Sequence, residues 1–197
     1  MYKIAISGRA NTGKNTLGKM IVKELRQKTG KNLSVSYMAL ANPIKSMAYV
    51  MFPSIPKKWL YGPSEFRSEI IPGAFKDGKP LTVRQVLFDI GTLLGRGYKD
   101  DVWLDNFDEI LRQNAKSNII VVPDERFRNE FDHLKAKGFY QIRLYRPTDE
   151  PIINHISETG QEAIKDSEFD FVIHNDKSLK HLRKLISTEI VPLLVDN

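Results

Sequence analysis

The sequence predicts an α/β domain of three layers built on a parallel sheet. Strand-sized apolar runs at Ile4–Ser7, Asn118–Val122 and Phe171–Ile173, and a strand-like alternation over Tyr140–Tyr145, interleave with helical patterns. The first run turns straight into a helix through a glycine-framed loop. A long stretch without strand signal interrupts the alternation after residue 41.

The elements follow in order. Ile4 to Ser7 read as a buried strand, and Thr16 to Arg26 as a helix with Leu17, Met20, Ile21 and Leu25 on one face. Leu33 to Met38 suit a second strand. In the middle, Ile44, Met47, Ala48, Met51 and Phe52 make one apolar helix face, broken by Pro53 and Pro56. Pro63, Pro72, Gly73, Gly78 and Pro80 mark a loop-rich stretch. Thr82 opens a helix, with Gln85 placed to complete a capping box and Val83, Val86, Leu87, Ile90 and Leu94 on its apolar face. Another helix is expected from Val102 to Asn114 behind Asp101. The run at Asn118–Val122 ends at Pro123-Asp124. Phe127 to Lys137 then look helical and stop at Gly138. Ser178 caps a last helix bearing Leu182, Leu185, Ile186 and Ile190. The expected organisation is one domain over residues 1–197. Its core is 1–41 and 115–197, with a helical insertion at about 42–114 and a small lid at about 147–168.

Composition narrows the function. The 197 residues are 41% hydrophobic and 27% charged, ordinary for a soluble globular chain. The absence of cysteine excludes disulfides, thiolate metal sites and a cysteine nucleophile. The apolar runs are too short for a membrane span, and Met1-Tyr2-Lys3-Ile4 does not read as a signal peptide. A net charge of +6 suits an anionic ligand, either nucleic acid or a nucleotide with its phosphates. No dense Lys/Arg block with interleaved aromatics favours the former.

Gly8-Arg9-Ala10-Asn11-Thr12-Gly13-Lys14 has the spacing of a P-loop. Such a loop wraps backbone N–H groups around phosphate oxygens, and the helix behind it turns its positive end toward them. The strand before and the helix after favour phosphate binding over a bare turn. The position that usually carries a magnesium-binding hydroxyl is Asn15, followed by Thr16. Asn15 offers an amide oxygen or a water-mediated contact to the ion.

Asp124 follows a buried strand, where P-loop proteins place the acid that orients magnesium, although an N-cap would have the same sequence. Arg126 and Glu130 are four apart and would share a helix face. The insertion carries Arg67, Arg84 and Arg96, whose planar forks match phosphate oxygens. Phe66 and Trp103 are candidates to stack on a base, against the plainer reading of Trp103 as a packing residue. His155-Ile156-Ser157-Glu158-Thr159-Gly160 suits a lid.

From Ile4 to about Leu185 the chain resembles the phage deoxynucleoside monophosphate kinases, a branch of the P-loop nucleoside-monophosphate kinases. The markers are Gly13-Lys14-Asn15-Thr16, Asn42-Pro43-Ile44-Lys45, Leu60-Tyr61-Gly62-Pro63-Ser64, Thr82-Val83-Arg84, Gly91-Thr92, Gly95-Arg96, Asp101-Val102-Trp103, Asp124 to Glu130, His155 to Glu158 and Asn175-Asp176. The resemblance implies a P-loop kinase fold with a monophosphate-binding insertion. It implies ATP- and magnesium-dependent phosphorylation of a deoxynucleoside monophosphate in the cytoplasm, that of the host if the gene is a phage's. Residues Gly8 to Thr16 would hold ATP, with Lys14, Asp124 and Arg126 catalytic and Asn15 and Asp124 toward magnesium. Arg84, Trp103, Asp124, Arg126 and Glu130 would surround the acceptor, with Arg67 and Arg96 of the insertion standing beside them as phosphate-binding candidates on their charge alone. A homodimer is offered by analogy, and stable nucleic-acid binding is not expected. The family often has Asp at the place of Asn15. Two rivals stand beside this reading: a P-loop kinase of a coenzyme precursor or phosphomevalonate, and a nucleotide-dependent nucleic-acid-binding module.

Overall fold

The computed structural model describes residues 1–147 and 156–196. Its elements are β1 (Tyr2–Ser7), α1 (Lys14–Thr29), β2 (Val35–Tyr37), α2 (Asn42–Met51), α3 (Lys57–Tyr61), β3 (Ile70–Lys76), β4 (Lys79–Thr82), α4 (Val83–Phe88), α5 (Val102–Gln113), β5 (Ile119–Glu125), α6 (Arg128–Ala136), β6 (Tyr140–Tyr145), α7 (Ile156–Thr159), β7 (Phe171–His174), α8 (Leu179–Leu185) and α9 (Val191–Asp196). The chain divides into Met1–Ala39 with Glu109–Asn197, and Leu40–Asp108.

The first unit carries a five-stranded sheet in the order β2-β5-β1-β6-β7, parallel throughout. Alternation along the strands decides its two faces. Ile4, Ile6, Ile119, Val121, Ile142 and Leu144 turn one way and pack on Leu17, Ile21 and Leu25 of α1 and on Leu182, Ile186 and Ile190 near the C-terminus. Ser7, Gln141 and Arg143 turn the other way and are nevertheless buried. Ser178 caps α8 as expected, its Oγ accepting from the His181 N–H at 3.3 Å.

The β1–β5 ladder holds a bulge. Ala5 pairs with Val122 and Ser7 with Glu125, so two steps in β1 match three in β5. The extra residue reverses the alternation and turns Glu125 onto the face of Ser7. The strand therefore runs past Pro123 and includes Asp124, where the sequence suggested an end.

The second unit has its own core of Ala48, Ile55, Leu60, Ile71, Val83, Val86, Ile90 and Trp103. Three expectations change here. The loop-rich stretch holds an antiparallel hairpin of β3 and β4. Asp77 (φ 51°) and Gly78 (φ 72°) form its two-residue turn, and positive φ at both matches a type I′ turn. Pro80 fits because its pair with Phe75 follows the turn-flanking Lys76–Lys79 pair, and at such a non-hydrogen-bonded place the missing N–H points away from the partner strand. Next, α4 continues as π-helical turns over Asp89–Arg96. Wider i→i+5 turns shift the apolar register. Ile90 stays buried, Leu94 is 39% exposed, and Gly91 and Gly95 face inward. In α2, Ala48 is buried whereas Met47 and Met51 are exposed.

Thr82 caps α4 through its Oγ1, which accepts from Gln85 N–H at 3.2 Å. The Gln85 side chain does not close a capping box but donates to Asp89 Oδ1 at 2.8 Å. His155 and residues 148–154 of the expected lid lie outside the described residues.

Candidate active site

The glycine-framed loop has the backbone its sequence demands. Gly8 (φ 149°) lies so close to β6 that a Cβ there would sit 2.4 Å from the Leu144 carbonyl oxygen. Asn11 (φ 60°) and Gly13 (φ 99°) take left-handed conformations that carry the chain around the loop into α1. Thr12 is buried and donates to the Arg9 carbonyl at 2.9 Å. Lys14 folds back over the loop, its Nζ donating to the carbonyls of Gly8 (2.6 Å) and Arg9 (2.5 Å). The first turn of α1 holds no acidic residue, so its positive end keeps its attraction for an anion. Asn15 and Thr16 are exposed there. Asn175, beyond β7, supports the loop from another side by donating to the Thr12 carbonyl at 3.1 Å. The sequence marked Asn175 only as part of a motif.

Asp124 stands half-buried in β5, one strand from the loop-bearing β1. It is not an N-cap, because α6 begins at Arg128. Arg126 precedes that helix and does not share a helical face with Glu130. Instead Glu130 Oε2 accepts the backbone N–H groups of Arg126 (2.7 Å) and Phe127 (3.1 Å). Glu130 thus fixes the turn that carries Arg126 away from the end of β5.

The sequence missed Glu125. Its carboxyl is fully buried, and Oε1 has no hydrogen-bond partner among the described residues. Hydrogen-bond complementarity orients the Gln141 carboxamide so that its nitrogen donates to Glu125 Oε2 at 2.6 Å. Burial, then the nearby charge of Glu130, pushes this acid well above the usual carboxylate range, against the pull of Arg143. The sign follows. Above pH 4.5 the unfolded chain releases this proton while the folded chain keeps it, so stability falls as pH rises toward the folded pKa. Glu125→Gln is expected to remove a loss of up to about 1.4 kcal/mol per pH unit. Denaturant midpoints from weakly acidic to neutral pH check this, and parallel curves for the two proteins would contradict it.

The acceptor candidates of the second unit hold mainly structural places. Arg67 donates to the carbonyls of Leu60 (2.7 Å), Gly62 (3.0 Å) and Pro63 (2.7 Å). Arg84 lies half-buried and reaches the Ser64 carbonyl at 3.4 Å. Both arginines therefore organise residues 60–64. Arg96 pairs with Asp100 at 2.9 Å, its side chain only 8% exposed. Trp103 corrects the base-stacking expectation. It is 7% exposed and donates its indole N–H to the Gly91 carbonyl at 2.8 Å. Phe66 stays partly open beneath Lys58.

The first unit thus brings Gly8–Thr16, Asp124 and Arg126 onto neighbouring strand ends, while Arg67, Arg84, Arg96 and Trp103 belong to the second. Among the described residues no group of three or more His, Cys, Asp or Glu could hold a metal ion. Magnesium fits this donor set as an ion shared with phosphate oxygens, which keeps several waters and needs only one or two protein groups. Among the described residues no helix is long and apolar enough to cross a membrane.

A family model for deoxynucleotide monophosphate kinase matches residues 60–186, more than half of the chain. The matched stretch begins after the phosphate loop, so the two lines of evidence come from different parts of the sequence. A protein of Acanthamoeba polyphaga mimivirus, provisionally named a deoxynucleotide monophosphate kinase, is 25% identical over 195 residues, covering 91% of each chain. The deoxynucleotide monophosphate kinase of Enterobacteria phage T4 is 33% identical over 104 residues, covering 51% of this chain and 42% of its own.

Proposed function

The chain belongs to the deoxynucleotide monophosphate kinase family, and we propose that it transfers the γ-phosphoryl group of ATP to the phosphate of a deoxynucleoside monophosphate. The observation that supports this most is the loop of Gly8 to Lys14, closed against β6 and followed by the uncompensated positive end of α1. An oxygen of the acceptor phosphate attacks the γ-phosphorus. The bond to the β,γ-bridging oxygen breaks, and ADP leaves with the negative charge. Such transfer needs little covalent chemistry from the protein, so positioning and electrostatics dominate.

In this reading Lys14 turns from the loop carbonyls to the donor's outer phosphate oxygens and stabilises charge as it moves to the leaving group. Backbone N–H groups of the loop share that task. Arg126, steadied by Glu130, faces the acceptor phosphate and reduces repulsion between two anions. Magnesium, when bound, neutralises donor phosphate charge, with Asn15 and Asp124 the groups that would orient it or its waters. Asn15 brings no charge, so Asp124 carries the greater part. Arg84 and Arg96 are the remaining acceptor-phosphate candidates. The setting is the cytoplasm, where nucleotide pools lie, and neither a membrane nor stable nucleic-acid binding enters the reading.

Phosphoryl transfer to a deoxynucleoside monophosphate is expected to stop when a chelator removes divalent ions and to return when magnesium is restored. Undiminished transfer in excess chelator would contradict the metal's part. The positive loop geometry would then stand apart from it.

A further inference from the structure

One buried polar cluster plays no part so far. On the sheet face opposite α1, Ser7, Gln141 and Arg143 are at most 5% exposed. Burying such groups is unfavourable unless each is matched, and apolar residues would pack there at least as well. The partners of Ser7 and Arg143 converge on one short segment. Ser7 Oγ donates to Gln161 Oε1 at 3.2 Å. Arg143 donates to the Ile164 carbonyl and to Asp166 Oδ1, both at 2.7 Å, and to the Gln161 carbonyl. Its guanidinium also lies over the Phe169 ring, 4.5 Å from the centroid. Gln161 is itself 3% exposed.

This segment reaches both halves of the first unit's site. Glu162 pairs with Arg9 inside the phosphate loop. Gly160 packs against Phe127, and a Cβ on it would come within 3.3 Å of the Arg126 carbonyl oxygen. Ser7 is the last residue before Gly8, and its backbone is paired to β5 on one side and β6 on the other. The exposed Arg9–Glu162 pair adds little alone. Gln161 beside it is fixed by the buried Arg143, so the two contacts act from a rigid base.

We propose that Gln161 is a positioning residue for the phosphate donor. Held by Arg143, it fixes Ser7 and so the start of the phosphate loop, while Glu162 directs Arg9. The inference rests on the reading of that loop as the donor site. The segment acts through Ser7 and Arg9, and it touches no reacting atom itself.

The test is titration calorimetry of the full chain with ATP and with ADP, alongside steady-state kinetics and thermal midpoints. Gln161→Met removes the acceptor of the Ser7 hydroxyl at nearly constant volume. Donor Kd and donor KM should rise about fivefold to tenfold, because the loop then spends less of its time in the binding geometry before the donor arrives. The acceptor KM and kcat should stay within about twofold, a split that a general loss of stability would not produce. Ser7→Ala should match it, and the double variant should be no weaker than either single one. Ser7→Ala leaves Gln161 and Arg143 in place and carries the same expectation if Gln161→Met does not fold. Wild-type protein that binds no ATP contradicts the donor-site reading. Wild-type protein that binds ATP, with both variants binding it equally well, overturns this inference alone. A fall in thermal midpoint with unchanged donor affinity likewise overturns it.

Discussion

Lys14→Ala is expected to lower kcat for nucleotide phosphorylation by about 10²- to 10³-fold, the loss typical of removing one preorganised charge donor from a developing oxyanion. Lys14 is a residue of α1, yet its ammonium lies over the loop and donates to the carbonyls of Gly8 and Arg9. It therefore acts twice. Its ammonium ties the carbonyls of the loop together, and in the proposed function it meets the outer phosphate oxygens of the donor. Lys14→Arg keeps the charge but not the compact ammonium that fits between two carbonyls 2.6 and 2.5 Å away. It should recover only part of the rate. Coupled measurement of ADP formation checks both variants, with donor calorimetry separating binding from chemistry. Turnover near the wild-type rate in Lys14→Ala contradicts the role given to the loop.

Trp103→Ala should destabilise the second unit by about 3–5 kcal/mol, the range for truncating a buried aromatic side chain. The indole fills the space left by Gly95, where a Cβ would lie 2.1 Å from Cζ2. Truncation opens a cavity beside Val86 and Ile90 in the same core and leaves the Gly91 carbonyl without its donor. Gly95→Ala should also destabilise, by about 1–3 kcal/mol, since its Cβ would drive into the Trp103 ring. Thermal or denaturant unfolding checks these values. Trp103→Phe keeps most of the packing and should leave the acceptor KM unchanged. A Trp103→Ala protein of normal stability with a raised acceptor KM would instead restore the base-stacking role.

What the sequence showed and what it hid follow from the range of each signal. β1 and β5 were legible because burial on both faces makes continuous apolar runs, and β6 because its side chains alternate. The phosphate loop was legible because its glycines, its lysine and the flanking strand and helix are adjacent in the chain. The β3–β4 hairpin was hidden by Pro72, Gly73 and Pro80, although Asp77-Gly78 between two strand-length segments is a hairpin signal. The π-helical turns could not be read, since the pattern that predicted Leu94 in the core assumed a constant helical period. Glu125 was missed because a charged residue after Pro123 looks like a strand end. Only the bulge against Ser7 turns it inward.

The side-chain roles were the least legible. Arg67 and Trp103 satisfy backbone carbonyls, and a carbonyl leaves no mark in the sequence. Glu130 resembled half of an ion pair with Arg126, whereas it accepts from the backbone N–H of that residue. A charge pattern reports which groups are available; the fold decides which of them remain for a ligand. Lys14, Asp124 and Arg126 stay proposals for the donor and acceptor phosphates. Trp103 moves to the core, and Arg143 and Gln161 enter the account.

In the proposed function the first unit's loop holds ATP for transfer to a deoxynucleoside monophosphate. The most direct measurement incubates the protein with γ-labelled ATP, magnesium and each common deoxy- and ribonucleoside monophosphate in turn, with phosphomevalonate and phosphorylated coenzyme precursors in parallel, and separates the labelled products. The account predicts a labelled deoxynucleoside diphosphate, formed one for one with ADP. Label appearing only in one of the other metabolites, or ATP hydrolysis that depends on added DNA with no nucleotide labelled, would contradict it.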